Sequence, residues 1–235
     1  MEKPDEFLNP TRSLTTLDTF WIRRAILDSL TRQLDKMTGT ALDVGCGYMP
    51  YRPLLMNSPG QVKKYIGLDL KENGYQQPDL EWDGRVIPLS ANEVDCSLAT
   101  ELFEHCPEPE QVMREILRVL KPGGVLFFTV PFLWPLHSVP HDECRFTPFA
   151  LERLLTNAGF VEIEMKALGG WDASLAQMLG LWVRRRPISE KKRQLLSRFI
   201  SPVIRFLTER DQPPDVFAES SMIVGISGTA VKPRT

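Results

Sequence analysis

Residues 40–55 read TALDVGCGYMPYRPLL: an apolar run, two glycines one residue apart, then a basic and aromatic stretch. A short apolar run ending in Gly-x-Gly predicts a buried strand and a tight turn, where backbone lacking a Cβ can come close to a ligand. The turn here is Gly45-Cys46-Gly47. Outward from it, KYIGLDL, VDCSLAT and GVLFFTV are further apolar runs bounded by Gly, Pro, Asp or Asn. They mostly lack strict alternation, as parallel strands buried on both faces do. VEIEMKAL and SMIVGISGTAV supply two later strands.

Helical spacing fills the gaps. TFWIRRAILDSLTRQL, residues 19–34, places Trp21, Ile22, Ala25, Ile26, Leu30 and Leu34 on one side. PEPEQVMREILRVLKPGG carries a stripe of Val112, Ile116, Val119 and Leu120, ended by Gly123 and Gly124. A third helix has Thr147 as its cap, Pro148 in its first turn, Leu151, Leu154 and Leu155 inward, and Gly159 as a left-handed stop. Strands alternating with helices predict an α/β, Rossmann-like sheet covered on both faces, with ligands at the carboxyl ends of its strands. The expected organisation is a covering helix region (1–39), a core (40–170), a helical basic insertion (171–220), and a final strand with tail (221–235).

Composition narrows the class. The 235 residues are 43% hydrophobic and 25% charged, as in an ordinary globular protein, and a net charge of -2 gives no overall attraction to nucleic acid. Cys46, Cys96, Cys106 and Cys144 have neither paired short spacings nor scaffold density, so no zinc ribbon or disulfide framework is expected. No run approaches the length of a membrane span, and the expected location is cytoplasmic.

The glycine turn does not continue as a dinucleotide fingerprint. Where that motif wants a third Gly or Ala, Pro50 stands, followed by bulky Tyr51. Asp69, at the end of the second strand, is placed to accept hydrogen bonds from both hydroxyls of a ribose. Asp43, beside the turn, would repel a pyrophosphate and attract an ammonium-bearing ligand. In this order the motifs resemble those of the class I S-adenosylmethionine-dependent methyltransferases: ALDVGCG the first, GLDL the ribose strand end, VDCSLATELFEH the fourth strand, LKPGGVLFFTVP the fifth. The likeness runs from about Ala25 to Gly170, plus the last strand. It implies seven strands with the last antiparallel, and S-adenosylmethionine as cofactor. Gly45 and Gly47 would lie beside the methionine part, Asp69 on the ribose and Asp83 near the adenine. Cys46, Leu70, Gly84, Thr100 and Glu101 would complete the cofactor wall, Cys46 as a small filler.

The acceptor side is read from the loop PFLWPLHSVPHDECRFTP, which carries Trp134, His137, His141, Asp142 and Arg145. Its P-x-H and D-x-x-R-F-T-P pattern resembles methyltransferases linked to sugars and cell-envelope glycans, which implies a small-molecule, glycan or lipid-linked acceptor. An oxygen nucleophile benefits from a base near neutral pH, so His141 oriented by Asp142 is the first candidate and His137 the second. Trp134 and Arg145 are candidates for acceptor contact, with an Asp142–Arg145 pair as the structural alternative. His137, His141, Cys144 and Asp142 match no zinc spacing, and no metal is expected. In the insertion, WDASLAQMLGLW groups Leu175, Met178, Leu179 and Trp182 behind an Asp172 cap, and QLLSRFISPVIRFL groups Leu195, Leu196, Phe199, Ile200, Val203 and Leu207. With RRRPISEKKR between them, they predict either a lid with a basic rim or contact between residues 180–210 and an anionic membrane at its inner face. The competing functions are a non-catalytic cofactor-binding scaffold of this fold and, against the missing third glycine, an NAD-dependent oxidoreductase.

Overall fold

A computed structural model describes residues 5–57 and 61–234. Seven strands form one sheet: β1 (Gly39–Val44), β2 (Val62–Leu70), β3 (Leu80–Trp82), β4 (Val94–Thr100), β5 (Leu120–Pro131), β6 (Val161–Leu168) and β7 (Gly225–Val231). Their order is β3-β2-β1-β4-β5-β7-β6. The first five run parallel, and β7 enters between β5 and β6 antiparallel to both. Gly228 makes that insertion fit, since a Cβ there would meet Glu164 O at 2.5 Å and the Phe128 ring at 2.6 Å.

The lack of alternation in the sequence has its cause in two cores, one on each sheet face. From β5, Leu126, Phe128 and Val130 point to the side covered by α4 (Pro109–Val119) and α5 (Pro148–Ala158). Phe127 points to the other, against Ile26 and Leu30 of α2 (Phe20–Thr31). The N-terminal face is completed by α1 (Asp5–Leu8), and the glycine turn leads into α3 (Arg52–Met56). α5 starts and stops as its sequence predicts: Ala150 N donates to Thr147 Oγ1 at 3.3 Å, and Gly159 has φ of 105°.

The insertion is a helical hairpin of α6 (Trp171–Arg184) and α7 (Glu190–Arg210), and it departs from expectation in two ways. Asp172 is not the cap, because it already lies inside the first turn. Asp211, beyond the far end of α7, reaches back to accept from Gly170 N at 2.9 Å and Ala173 N at 2.8 Å, tying the hairpin's two ends together. The expected apolar faces are also split. α6 packs through its small residues Ala173, Ala176 and Gly180, which leaves Leu175, Met178 and Trp182 exposed. α7 buries Ser197 and Ile204 with Ile200 and Leu207 alongside, while Leu195, Phe199 and Val203 face outward. α7 runs through Pro202 as one helix.

Candidate cofactor and acceptor site

At the carboxyl ends of the parallel strands lies a cavity of about 500 Å³. The turn after β1 forms one wall. Gly45 has φ of 72°, its N donates to Leu68 O at 2.8 Å, and a Cβ would meet Leu102 Cδ1 at 2.7 Å. Only glycine leaves this backbone bare toward the cavity. Gly47, with φ of 50°, donates its N–H to Asp69 Oδ2 at 2.8 Å, and Leu70 N donates to Asp69 Oδ1 at 2.7 Å. The Asp69 carboxylate is thus fixed across the β1 and β2 ends. Burial raises its pKa, and hydrogen bonds from Gly47 N, Leu70 N and the Asn73 side chain oppose that rise.

At one end of the cavity stand Trp82, Asp83 and Gly84. Asp83 Oδ1 accepts from Arg85 N and Val86 N, both at 2.8 Å, and these bonds hold its carboxyl below the usual range. One oxygen therefore closes the turn and the other stays available.

The opposite side is acidic and buried. Glu101, after β4, has φ of 50° and anchors its N–H on Thr129 O at 3.0 Å. Its Oε1 is sequestered without a partner among the described residues, and burial pushes the carboxyl up to about 7 against the Thr129 hydroxyl and the Arg145 charge. Glu104, fully buried, has no hydrogen-bond partner for either oxygen among the described residues, although His105 Nε2 lies 3.7 Å from Oε1, and its carboxyl is raised well above the ordinary value by burial and by Glu101. An orphaned acceptor such as Glu101 Oε1 calls for a donor from a bound molecule.

Toward the acceptor loop, His105 and His141 both line the cavity. His105 Nδ1 lies 2.7 Å from His141 O; because a carbonyl only accepts, Nδ1 carries a proton, while Nε2 lies 3.7 Å from Glu104 Oε1. The His105 and His137 rings meet edge-on at 4.7 Å. Asp142 does not orient His141 as the sequence led us to expect. Its carboxylate is gripped by Arg145 at 2.6 and 3.0 Å, accepts from His137 N at 3.1 Å, and lies 3.4 Å from His137 Nδ1. The guanidinium holds Asp142 well below the usual carboxylate range, while burial lowers the His137 pKa.

The structure therefore gathers Gly45, Asp69, Leu70, Asp83, Gly84, Glu101 and His141 around one cavity. Asp43, Cys46, Gly47, Thr100, Trp134, His137, Asp142 and Arg145 do not line it. Asp43 is buried behind the turn, where Oδ2 accepts from Tyr65 OH and Oδ1 has no partner among the described residues; burial pushes it to about 7. Arg145 is taken up by the loop, reaching the carbonyls of Trp134 and Pro135 at 3.4 Å besides Asp142. Sequence reasoning missed Trp82, Glu108 and Gln111 as lining residues. Trp82 adjoins Asp83 and was within reach of the motif; Glu108 and Gln111 carried no signal beyond their place at the start of α4. Donor atoms of Glu104, His105 and His137 lie within 4.8 Å of one another, whereas the set of His137, His141, Cys144 and Asp142 is not gathered among the described residues.

A cavity wall of bare glycine backbone, a carboxylate held for two hydroxyls and an orphaned buried acceptor fit a nucleoside cofactor bearing an ammonium group. Residues 42–128 match the family model described as a methyltransferase domain, a match that supports the class I S-adenosylmethionine-dependent methyltransferase family. It is 34% identical to an uncharacterized methyltransferase of Mycobacteroides abscessus over 39% of this chain and 40% of that one. To a ubiquinone biosynthesis O-methyltransferase of Azoarcus sp. it is 30% identical, over 55% of this chain and 66% of the relative. The chain thus spans only part of the length of these relatives. A chain from the complex of the Haloferax volcanii Trm112 methyltransferase activator with its methyltransferase shares the fold, at a TM-score of 0.58 with 18% identity, covering 99% of each chain.

Proposed function

We propose that this protein transfers a methyl group from S-adenosylmethionine to an oxygen of a small acceptor, most plainly one on a sugar, a cell-envelope glycan or a lipid-linked molecule. The observation that carries the reading is the single cavity that joins Asp69 and Glu101 to His105 and His141. When bound, S-adenosylmethionine supplies an electrophilic methyl on a sulfonium. Asp69, held in place by Gly47 N and Leu70 N, accepts from the ribose hydroxyls. Asp83 Oδ2 is free to accept from the adenine amino group, since Oδ1 is occupied by the turn. Glu101 ionises to receive the ammonium, which satisfies its sequestered oxygen.

On the acceptor side, His141 takes the proton of the attacking hydroxyl. Its loop is braced by the His105 bond to its carbonyl and by the Asp142–Arg145 fork, so His137, Asp142 and Arg145 act as positioning residues. Holding acceptor and methyl donor in line supplies much of the rate, and the base adds about a hundredfold or more. The likeness to the ubiquinone biosynthesis O-methyltransferase of Azoarcus sp. supports an oxygen nucleophile. The test is incubation with methyl-labelled cofactor and fractionated cell-envelope extract. Label entering a glycan or lipid fraction is expected; cofactor binding without label transfer to any fraction would favour the non-catalytic scaffold.

A further inference from the structure

We infer that the outer face of the α6–α7 hairpin docks in the plane of an anionic lipid leaflet. The inward sides of both helices are fixed by contacts. Gln177 Nε2 donates to Asp18 O at 2.7 Å, and at Gly180 a Cβ would meet Leu17 O at 2.3 Å. On α7, Ile204 packs with Leu17 and Ala176, and Thr208 Oγ1 accepts from Arg12 at 3.3 Å. With 3.6 residues per turn, Trp171, Leu175, Met178 and Trp182 fall opposite Gln177 and Gly180, while Leu195, Phe199 and Phe206 fall opposite Ser201 and Thr208. Leu179, Ile200 and Leu207 fill the seam between. Both stripes therefore share one outward face, on which Trp171 is 66% and Phe199 71% exposed. A monomer rarely leaves so much contiguous apolar surface without a partner.

Charge selects the partner. Of the 28 Lys and Arg and 30 Asp and Glu in the chain, residues 171–210 hold nine and three, leaving nineteen against twenty-seven elsewhere. Arg186 lies 3.9 Å over the Trp182 ring and Arg210 5.1 Å over Phe206, so cations border the apolar stripe itself. Arg184, Lys191, Lys192 and Arg198 make no ion pair among the described residues. A second copy would set one basic rim against another, whereas an anionic leaflet neutralises the rim and accepts the apolar side chains. None of the helices described is long and apolar enough to cross a membrane, so the hairpin lies along the surface. No hairpin residue lines the cavity, and the hairpin meets the acceptor loop through Arg185 over the Trp134 ring at 5.6 Å, on the side away from this face.

The inference does not rest on methyl transfer, and its test reads binding alone. The full chain is floated with phosphatidylcholine vesicles with and without phosphatidylglycerol, at low and high salt. Binding is expected only with phosphatidylglycerol and should weaken with salt. A variant with Arg184, Lys191, Lys192 and Arg198 changed to Gln spares Arg185, which pairs with Asp18, and Arg193, which holds the Val183 and Arg184 carbonyls. It should bind about a thousandfold more weakly, at about 1 kcal/mol per basic residue. A second variant, Leu195→Ser with Phe199→Ser and Phe206→Ser, should lose binding while keeping the parent's circular dichroism and S-adenosylhomocysteine affinity. Negligible binding by the parent, equal binding to both vesicle types, or unchanged binding by both variants would overturn the inference. So would a lipid-free dimer, seen by light scattering, that the second variant abolishes.

Discussion

Glu101→Gln separates an electrostatic role for this residue from a merely structural one, because the charge it removes is present only over part of the pH range. Burial raises the carboxyl to about 7, so half of the ligand-free protein is ionised at pH 7 and about 3% at pH 5.5. If the cofactor ammonium binds only ionised Glu101, the dissociation constant should rise about fifteenfold between those values, near 1.4 kcal/mol per pH unit at the acid end. The ligand's own α-amino group, with a pKa of about 7.7 to 8.0, remains charged throughout that window. Gln keeps the shape and abolishes the titration. At pH 7 it should weaken binding by about 1.5 to 3 kcal/mol, the range for a charged hydrogen bond, and its affinity should be nearly flat from pH 5.5 to 7. Calorimetry with S-adenosylhomocysteine at three pH values reads both quantities. A variant that retains the parent's slope, or a parent with none, would refute the assignment.

Four further outcomes follow from the same geometry. Asp69→Ala should raise the cofactor dissociation constant by the equivalent of about 1.5 to 3 kcal/mol, measured by calorimetry, and an unchanged constant would remove it from the ribose. His141→Ala should lower turnover about a hundredfold or more on the true acceptor with cofactor affinity unchanged, and full retained turnover would move the base to His105 or His137. Asp211→Ala should cost about 1 kcal/mol in denaturant unfolding, because it frees the Gly170 and Ala173 N–H groups at the start of α6. For stability against pH, Asp43 and Glu101 both have carboxyls raised to about 7 from ordinary values near 4. Their neutral forms favour the fold, so this contribution is full below about pH 4 and is lost as pH rises through 7; Asp43→Asn should gain stability at pH 8 relative to pH 5, and an equal effect at both would contradict the buried-charge account.

Much of the sheet could be read from residues close in sequence. Leu126, Phe127 and Phe128 had to be apolar on both sides of β5, and Thr147, Pro148 and Gly159 mark α5 with local hydrogen bonds and a left-handed turn. The cavity wall was similarly legible, because Gly45, Asp69 and Asp83 each sit at a strand end. What could not be read depended on partners distant in the chain. Asp211 caps a helix that begins forty residues earlier. Asp142, by contrast, took the nearby Arg145 that the sequence offered as its alternative partner, together with His137, and left its neighbour His141 aside. The hairpin misled for a different reason. Its helices are apolar on two sides, and periodicity alone does not say that the small residues Ala173, Ala176 and Gly180 face the body while Trp182 and Phe199 face out. Glu104 gave no sign of its complete burial, since charged residues in sequence read as surface.

The central claim is that the cavity beside Gly45 and Asp69 holds S-adenosylmethionine and not a dinucleotide. Titration calorimetry of the full chain with S-adenosylmethionine, S-adenosylhomocysteine and NAD tests it directly. The account predicts one site for each of the first two, weakened by Asp69→Ala, and no measurable heat with NAD. Tight NAD binding with no response to either sulfur-containing ligand would contradict it.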